Sequence, residues 1–326
     1  MTSERNPLIV PTLAVFVSTL LWLGGCSTTP RAASKGDVGP LLASPQVEAT
    51  PAPLLFDGDE AMRHVRAQMA FGPRPTGSEA SRQTAEYILG TLADLGWRTE
   101  VRPFAYQGVE GRNLVARAGP QGGAIFVLGA HYDTRRRADQ DPHIPDMPVP
   151  GANDGASGVA VLLELARVLD REALQGEVWL VFFDAEDNGR LDGWEYIVGS
   201  RHFVENLEVR PDYAVIVDMV GDADQDIYLE RHSDPLLSAH LWQIAADLGY
   251  GDHIIAEMKH TILDDHIPFL EVGIPAVDII DFDYAYWHTT QDTIDKLSAE
   301  SLERVGRMLE VFLEAGGNYL DRSSGP

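Results

Sequence analysis

The 326-residue chain contains a single cysteine, Cys26, which excludes an intrachain disulfide. Positive charge is scarce as well: 25 Lys and Arg face 50 Asp and Glu, a formal net charge of −25. That balance argues against a nucleic-acid partner, which would need Lys and Arg to neutralise phosphates. An acidic surface keeps a chain soluble, and it also favours cationic ligands such as peptides with a free amine. The N-terminal apolar segment Leu8–Leu23 is about 16 residues long with Pro11 inside it. That is short of the ~20 residues a helix needs to span a bilayer. No internal repeat is visible, and no Pro/Gly-rich break divides residues 56–320 into two domains. With 44% hydrophobic residues, the chain has enough apolar content for one large α/β domain.

The N-terminus reads as an address rather than as fold. Arg5, an apolar centre and small residues before a cut site describe a secretory signal. Leu23-Gly24-Gly25-Cys26 resembles the bacterial lipobox. The resemblance implies cleavage before Cys26 and lipidation of its thiol, with an uncleaved membrane anchor as the alternative. The expected organisation is a lipoprotein signal peptide over 1–25 and a flexible tether over 26–54, rich in Ser, Thr, Pro, Ala and Gly. A catalytic domain over 55–322 and a short tail over 323–326 follow. The expected location is the bacterial cell envelope, lipid-anchored on a periplasmic or extracellular face.

Within the domain, Asp57 or Asp59 caps a helix carrying Ala61, Val65, Met69 and Ala70. Phe71 to Ser78, with two prolines and two glycines, must be a loop. Ser78 or Glu79 opens a second helix that Gly96 closes. Arg98–Phe104 and Asn113–Arg117 alternate like a hairpin. Ala124–Ala130, Glu177–Asp184, Pro211–Asp218 and Ile274–Asp281 are apolar runs of buried-strand length. Asp226–Glu230 is a shorter strand. Helices are expected over Ser157–Leu169, from Asp234 through Leu248, and over Leu297–Leu320. Strands alternating with helices predict an α/β fold: a single globular domain with a central mixed, mostly parallel sheet flanked by helices.

Four of these strands end in a ligand-type residue: His131, Glu186 with Asp187, Asp218, and His288 shortly after the last. Asp154 lies in the loop after the first. In open α/β sheets, sites form at the carboxyl ends of strands. Acids and imidazoles gathered there need a cation, because buried charges are costly unless paired or metal-bound. Imidazole with carboxylate suits a divalent metal, zinc first. The adjacent Glu186 and Asp187 can divide the labour, one holding metal while the other moves protons.

His131-Tyr132-Asp133, GANDGASGVAVLLELAR at 151–167, FFDAEDNG at 182–189, GSRHF at 199–203, DDHIPFLEVGIPAVDII at 264–280 and WHT at 287–289 together resemble the zinc aminopeptidase and glutaminyl cyclase superfamily. DDHIPF, WHT and Trp194 look more like the cyclotransferases than ordinary aminopeptidases. The resemblance implies a zinc-aminopeptidase-like α/β/α sandwich. It implies catalytic zinc held by Asp154, Asp187 and His288, and a second zinc position at His131 and Asp218. Glu186 matches the proton-transfer residue, Asp264 an acid hydrogen-bonded in the cyclase site, and Trp287 with Trp194 the pocket walls. Asp133 supports the ligands from behind. The superfamily's cis bond would fall at Asp154-Gly155. Asp187 stands where animal cyclases carry a longer Glu, yet Asp is a competent zinc ligand.

Two activities on peptides with a free N-terminus follow from the resemblance. The first is cyclisation of N-terminal Gln to pyroglutamate with release of ammonia, using one zinc per chain. The second is removal of N-terminal residues by a two-zinc aminopeptidase. An inactive lipid-anchored binding protein is a third possibility, against which an intact Glu186 and a complete ligand set speak. His143 is expected at the surface. His202, His232, His240 and His260 are expected to be structural or exposed, and His266 to be a local hydrogen-bonder.

Overall fold

The computed structural model describes residues 53–317. The expected signal peptide and Cys26, nearly all of the expected tether, and the expected tail lie outside these residues. No helix among the described residues is long and apolar enough to cross a membrane.

Two helices open the domain, α1 (Gly58–Ala70) and α2 (Glu79–Asp94). The Asp57 side chain accepts from the Asp59 and Glu60 N–H groups, and Ser78 does the same for Ser81. Both caps are of the type that starts helices. A hairpin of β1 (Arg98–Tyr106) and β2 (Val109–Ala118) follows, in the expected antiparallel register. The chain then runs β3 (Ile125–His131), α3 (Ala156–Val168), β4 (Glu177–Phe183), α4 (Val198–Glu205), β5 (Tyr213–Asp218), β6 (Ile227–Glu230) and α5 (Pro235–Asp247). It closes through β7 (Ile254–His260), α6 (Ile267–Glu271), β8 (Ala276–Ile280) and α7 (Ala299–Glu314).

The main sheet has the order β1-β2-β4-β3-β5-β8. Its four inner and late strands, β4, β3, β5 and β8, are parallel, and β2 joins them antiparallel. Both faces of the parallel part are covered, so these strands are apolar without alternation. Leu128, Leu180, Val215 and Val277 point into one core with α1, α3 and α7. Val127, Val181, Ala214 and Ala276 point into a second core beneath Phe203 of α4 and Phe269 of α6. From β3 the chain moves first to β4 on one side, then to β5 on the other. The crevice at that reversal is where α/β sheets place ligands.

The expected short strand forms as β6 and pairs with β7 in a separate two-stranded sheet. One helix boundary needs correction. The closing helix stops at Glu314 rather than running on to Leu320. Gly316 (φ +94°) and Gly317 (φ +62°) turn the chain out, and their N–H groups cap Leu313 and Phe312 carbonyls. Strand β7 and helices α4 and α6 are additions. Helix α4 starts at Ile197, which has a left-handed backbone (φ 56°) and no side-chain cap, so no start signal precedes it. Strand β7 is mostly exposed and lacks an apolar stripe.

Helix α3 sits unusually close to the sheet because of Gly158. A Cβ there would lie 2.1 Å from the Val217 carbonyl oxygen and 3.1 Å from the Ala130 Cβ. Gly158→Ala would gain about 1 kcal/mol of helix propensity but overpack the helix–sheet contact at a cost of roughly 1–3 kcal/mol. The substitution is therefore expected to lower the urea midpoint. An unchanged or raised midpoint would show that α3 does not depend on this close approach.

Candidate metal centre and pocket

The carboxyl ends of β4, β3, β5 and β8 lie side by side, and the ligand-type residues meet there. His131 is the last residue of β3 and Asp218 the last of β5. Glu186 and Asp187 follow β4, Asp154 precedes α3, and His288 lies on the loop after β8. None of the six is more than 7% exposed.

Asp154 stands between two imidazoles. Its Oδ1 is 3.2 Å from His131 Nε2, and its Oδ2 is 3.7 Å from His288 Nε2. His131 Nε2 also meets Asp218 Oδ1 at 3.0 Å, and His288 Nε2 meets Asp187 Oδ1 at 2.8 Å. Two groups of three ligands therefore share one carboxylate: His131–Asp154–Asp218 and Asp154–Asp187–His288. Within each group the ligand atoms lie within 4.8 Å of one another. Buried Asp154 Oδ2 and Asp187 Oδ2 have no hydrogen-bond partner. One imidazole nitrogen and two carboxylate oxygens form a zinc donor set, and the orphaned oxygens fit that role.

The electrostatics point the same way. Burial, then the neighbouring Asp154, pushes the Asp187 carboxyl up to about 6. Burial pushes Asp218 up to about 7 even against the pull of His131. Glu186 is driven well above its ordinary value, first by burial and then by Asp187, Asp264 and Asp265, with His131 opposing. Asp154 moves down: burial works against its charge, but the hydrogen bond from His131 and the charges of both imidazoles outweigh it. A cation bound here would remove the cost of keeping the other carboxylates ionised.

The surrounding backbone is bent to present these groups. Ala185 (φ 62°) precedes Glu186, Met219 (φ 46°) follows Asp218, and His288 itself has φ 56°. Left-handed conformations of non-glycine residues cost on the order of 1–3 kcal/mol each and persist where the surroundings hold them. Asp133 does much of the holding. Its Oδ1 accepts from the Glu186 N–H at 3.0 Å, and its Oδ2 accepts from the Asp187 N–H and the Asn188 amide, both at 3.4 Å. The Asp154–Gly155 bond is trans, not cis. The turn is taken instead by Gly155 at φ +99°, where a Cβ would lie 2.7 Å from the Asp133 carbonyl oxygen.

Three positioning residues carry no recognisable signal in the sequence. Asp292 accepts from the Asn153 and Asp154 N–H groups at 2.8 and 3.1 Å. Buried Arg135 donates to the Asp187 and Gly189 carbonyls and to Asp139, which faces His288 Nδ1 at 3.8 Å. Buried Arg74 donates to the Tyr132, Pro150 and Gly151 carbonyls, tying together the loops that hold Asp133 and Asp154. A lone Asp among threonines, one arginine of a run of three, and an arginine between prolines look like surface residues in a sequence.

A cavity of about 180 Å³ opens over the ligands, lined by Glu186, Asp264, Tyr196 and Trp287 among others. Trp287 stacks on His288 with ring centroids 3.7 Å apart. Trp194 is not on the wall. Its ring packs behind, in a small apolar cluster with Phe104, Ala185 and Val198, because the 188–194 loop folds back on itself through Asn188, Arg190, Leu191 and Trp194 backbone bonds. Tyr196 takes the wall position instead. His143 is exposed, as expected. His266 is fully buried behind the cavity, with Nε2 3.2 Å from Glu230 and Nδ1 3.7 Å from Asp278.

A mixed α/β sandwich with acids and imidazoles gathered at the carboxyl edge of its parallel strands is the architecture of zinc-dependent exopeptidases. The description of peptidase family M28 matches residues 113–313. A crystal structure of glutaminyl cyclase from Porphyromonas gingivalis superposes with a TM-score of 0.76 at 32% identity, covering 80% of this chain and 99% of that one. A Zn-dependent exopeptidase from Parabacteroides distasonis superposes at 0.75 and 30% identity, covering 81% and 99%. The glutaminyl-peptide cyclotransferase-like protein of Bos taurus is 27% identical over 286 residues, 74% of this chain and 71% of the relative. The chain belongs to peptidase family M28.

Glu230 offers a pH test of the support behind the site. Burial opposes its charge, yet the hydrogen bond from His266 and the N–H groups of Ile262 and Ser233 hold its pKa at about 2, against 4.5. A depressed carboxylate contributes stability that is fully present above about pH 4.5 and lost as pH falls toward 2. Glu230→Gln should lower stability at pH 7 by about 3 kcal/mol, since it strips one partner from a buried pair. It should also flatten the loss between pH 4.5 and 2. Urea unfolding at pH 7 and pH 3 reads both, and an acid limb identical to wild type would remove Glu230 from the account.

Proposed function

We propose that this chain is a zinc-dependent glutaminyl-peptide cyclotransferase, converting N-terminal Gln of peptides to pyroglutamate with release of ammonia. The observation that carries the reading is the small cavity in which Glu186, Asp264 and Trp287 face the Asp154–Asp187–His288 group. Similarity to bacterial and animal glutaminyl cyclases supports it. Zinc, held by Asp154, Asp187 and His288, supplies Lewis-acid polarisation of the substrate's γ-amide carbonyl when bound.

The rest of the chemistry falls to side chains. The substrate's α-amine forms a bond to its own amide carbon, and the bond to the amide nitrogen breaks. Glu186 takes the proton from the α-amine and delivers it to the departing nitrogen, which leaves as ammonia. Glu186 lines the cavity directly beside the ligands, the position from which one carboxylate can both accept and return a proton. Asp264, with one carboxyl oxygen unpartnered and buried, keeps the Glu186 side of the cavity polar. Trp287 walls the reacting atoms off from water, so that the intramolecular attack, favoured by proximity, is not overtaken by hydrolysis.

A second reading has one observation in its favour: the His131–Asp154–Asp218 group is formed alongside the first. That is the ligand arrangement of a two-zinc aminopeptidase, in which Glu186 would act as base toward an attacking water. The readings separate on products. On a Gln-initiated dipeptide amide, the cyclase reading expects ammonia without release of the first residue. Release of the first residue without ammonia would overturn it.

Glu186→Gln should lower kcat by at least about 100-fold, the usual scale of general acid–base catalysis, with zinc content unchanged. His288→Ala should lose zinc, measured by atomic absorption after dialysis, and unchanged metal would remove His288 from the ligand set. We further infer, on the Leu23-Gly24-Gly25-Cys26 motif, that the mature chain is lipid-anchored at Cys26 in the bacterial cell envelope. Cys26→Ser should then move the protein from the membrane fraction to the soluble fraction. Unchanged fractionation would overturn the anchor.

A further inference from the structure

The reacting cavity is lined by acids and by one guanidinium. Asp154, Glu186, Asp187, Asp218 and Asp264 all face it, and Arg190 is the one Arg or Lys beside them among the described residues. The reaction as proposed uses the acids and leaves Arg190 without a role. Arg190 lies in the 188–194 loop, three residues after Asp187, and is exposed. Its backbone N–H donates to the Trp194 carbonyl at 2.8 Å. Its guanidinium has no hydrogen-bond or ion-pair partner among the described residues.

A free arginine on a surface is ordinary. Three features set this one apart. The neighbouring basic side chains are all engaged: Arg135 binds Asp139 at 2.6 Å, Arg136 binds Asn188 at 3.0 Å and lies over the Trp194 ring, and Arg137 binds Asp192 at 2.9 Å. Asp192, an acid only two residues from Arg190, is thus taken by another cation. The backbone at Arg190 is left-handed (φ 63°), a conformation that favours glycine. Strain of that kind gathers at ligand-binding sites, where the surroundings hold it. The loop is also pinned from the cavity side. A Cβ at Gly189 would lie 2.1 Å from the Tyr196 ring, so that ring, itself a cavity wall, packs directly on the residue before Arg190.

The chemistry of the ligand follows from the charges. Five carboxylates suit the amine end of a peptide and repel a carboxylate. A short peptide carries both, with its carboxylate toward the opening when its amine is at Glu186. A guanidinium at that cavity offsets the repulsion and can fork onto both carboxylate oxygens.

We propose that Arg190 is a specificity-determining residue that binds the C-terminal carboxylate of a short substrate, so that the enzyme favours Gln-initiated dipeptides with a free C-terminus over the same dipeptides blocked as amides. The assignment rests on the peptide-N-terminus reading of the cavity.

The test measures kcat and KM of the purified enzyme on Gln-Gly, Gln-Gly-amide, Gln-Gly-Gly and Gln-Glu-amide. KM for Gln-Gly should be about tenfold below that for Gln-Gly-amide, the scale of a hydrogen bond between charged groups. The kcat values should be alike, because the contact is present in the ground state and the transition state equally. Gln-Gly-Gly, whose carboxylate lies one residue further out, should lose most of the advantage. Added salt should narrow the ratio, since an exposed charge pair is screened. Gln-Glu-amide separates the two sources of a carboxylate: a low KM there, with Gln-Gly no better than its amide, would assign Arg190 to an acidic side chain and overturn the C-terminal reading. Arg190→Gly suits the left-handed backbone and should keep the wild-type melting temperature while bringing the Gln-Gly to Gln-Gly-amide ratio to about one. Arg190→Lys, which keeps the charge without the fork, should retain part of the preference. A wild-type ratio near one overturns the proposal, as does a tenfold ratio that Arg190→Gly leaves in place. If the enzyme proves to release first residues instead of cyclising, the same ratio is read on Leu-Gly and Leu-Gly-amide. Product identity then reports on the reaction, and the ratio reports on Arg190.

Discussion

The Asp154 carboxylate is the group on which the rest of the edge depends. It is the one acid of the cluster whose ionised form is favoured, and each of its oxygens faces a different imidazole. Its placement is set by backbone rather than by its own rotamer. The Asp154 N–H is tied to Asp292, Gly155 supplies a turn that a side chain would obstruct, and Gly158 lets α3 settle against β5. Asp292 is itself an acid close to Asp154, and burial followed by that neighbour pushes its pKa up to about 7. The protein sets a cation among these acids. Burial lowers the Arg74 guanidinium to about 10, and Asp292, Asp133 and Asp154 hold it from falling further. Arg74 thus remains charged at neutral pH and offsets part of the acid density without occupying the ligand positions.

The frame beneath this loop is stiff for a simple reason. Parallel strands buried on both faces have no freedom to shift by a residue, because a one-residue slip would exchange the contents of the two cores. His131 and Asp218 therefore end β3 and β5 at matching depth. The turns beyond the strands do the finer aiming, through left-handed residues at 185, 219 and 288 and through the Asp133 carboxylate, which gathers the 186 and 187 backbone N–H groups and the Asn188 side-chain amide.

The strands were legible in the sequence because they are continuous apolar runs, and their ends were legible because an acid or imidazole interrupts each run. The same reasoning found α1, α2, α3 and α5, whose caps and apolar stripes are local signals. It missed α4 and α6, which are short and start without a side-chain cap, and β7, which is mostly solvent-facing. Arg74, Arg135 and Asp292 escaped because each acts on backbone groups far away in the chain, and a residue's own neighbours do not reveal that. Trp194 was misplaced for a related reason. The resemblance puts it on a pocket wall, but the 188–194 loop closes on its own backbone and turns the indole inward, against Phe104, Ala185 and Val198. The resemblance places a cis bond at Asp154–Gly155, whereas the bond is trans and Gly155 has φ +99°.

The ligands by themselves do not choose between ring closure and hydrolysis. Both reactions need a polarised carbonyl and a carboxylate that moves a proton, and Glu186 serves either. What differs is the nucleophile that arrives first. A substrate amine tethered to the same residue enjoys the large effective concentration of an intramolecular group. It keeps that advantage only while water is kept from the carbonyl. Trp287, stacked on His288, and Tyr196 both line the cavity over the ligands, so the choice between the two reactions rests on these enclosing side chains and not on the ligand set.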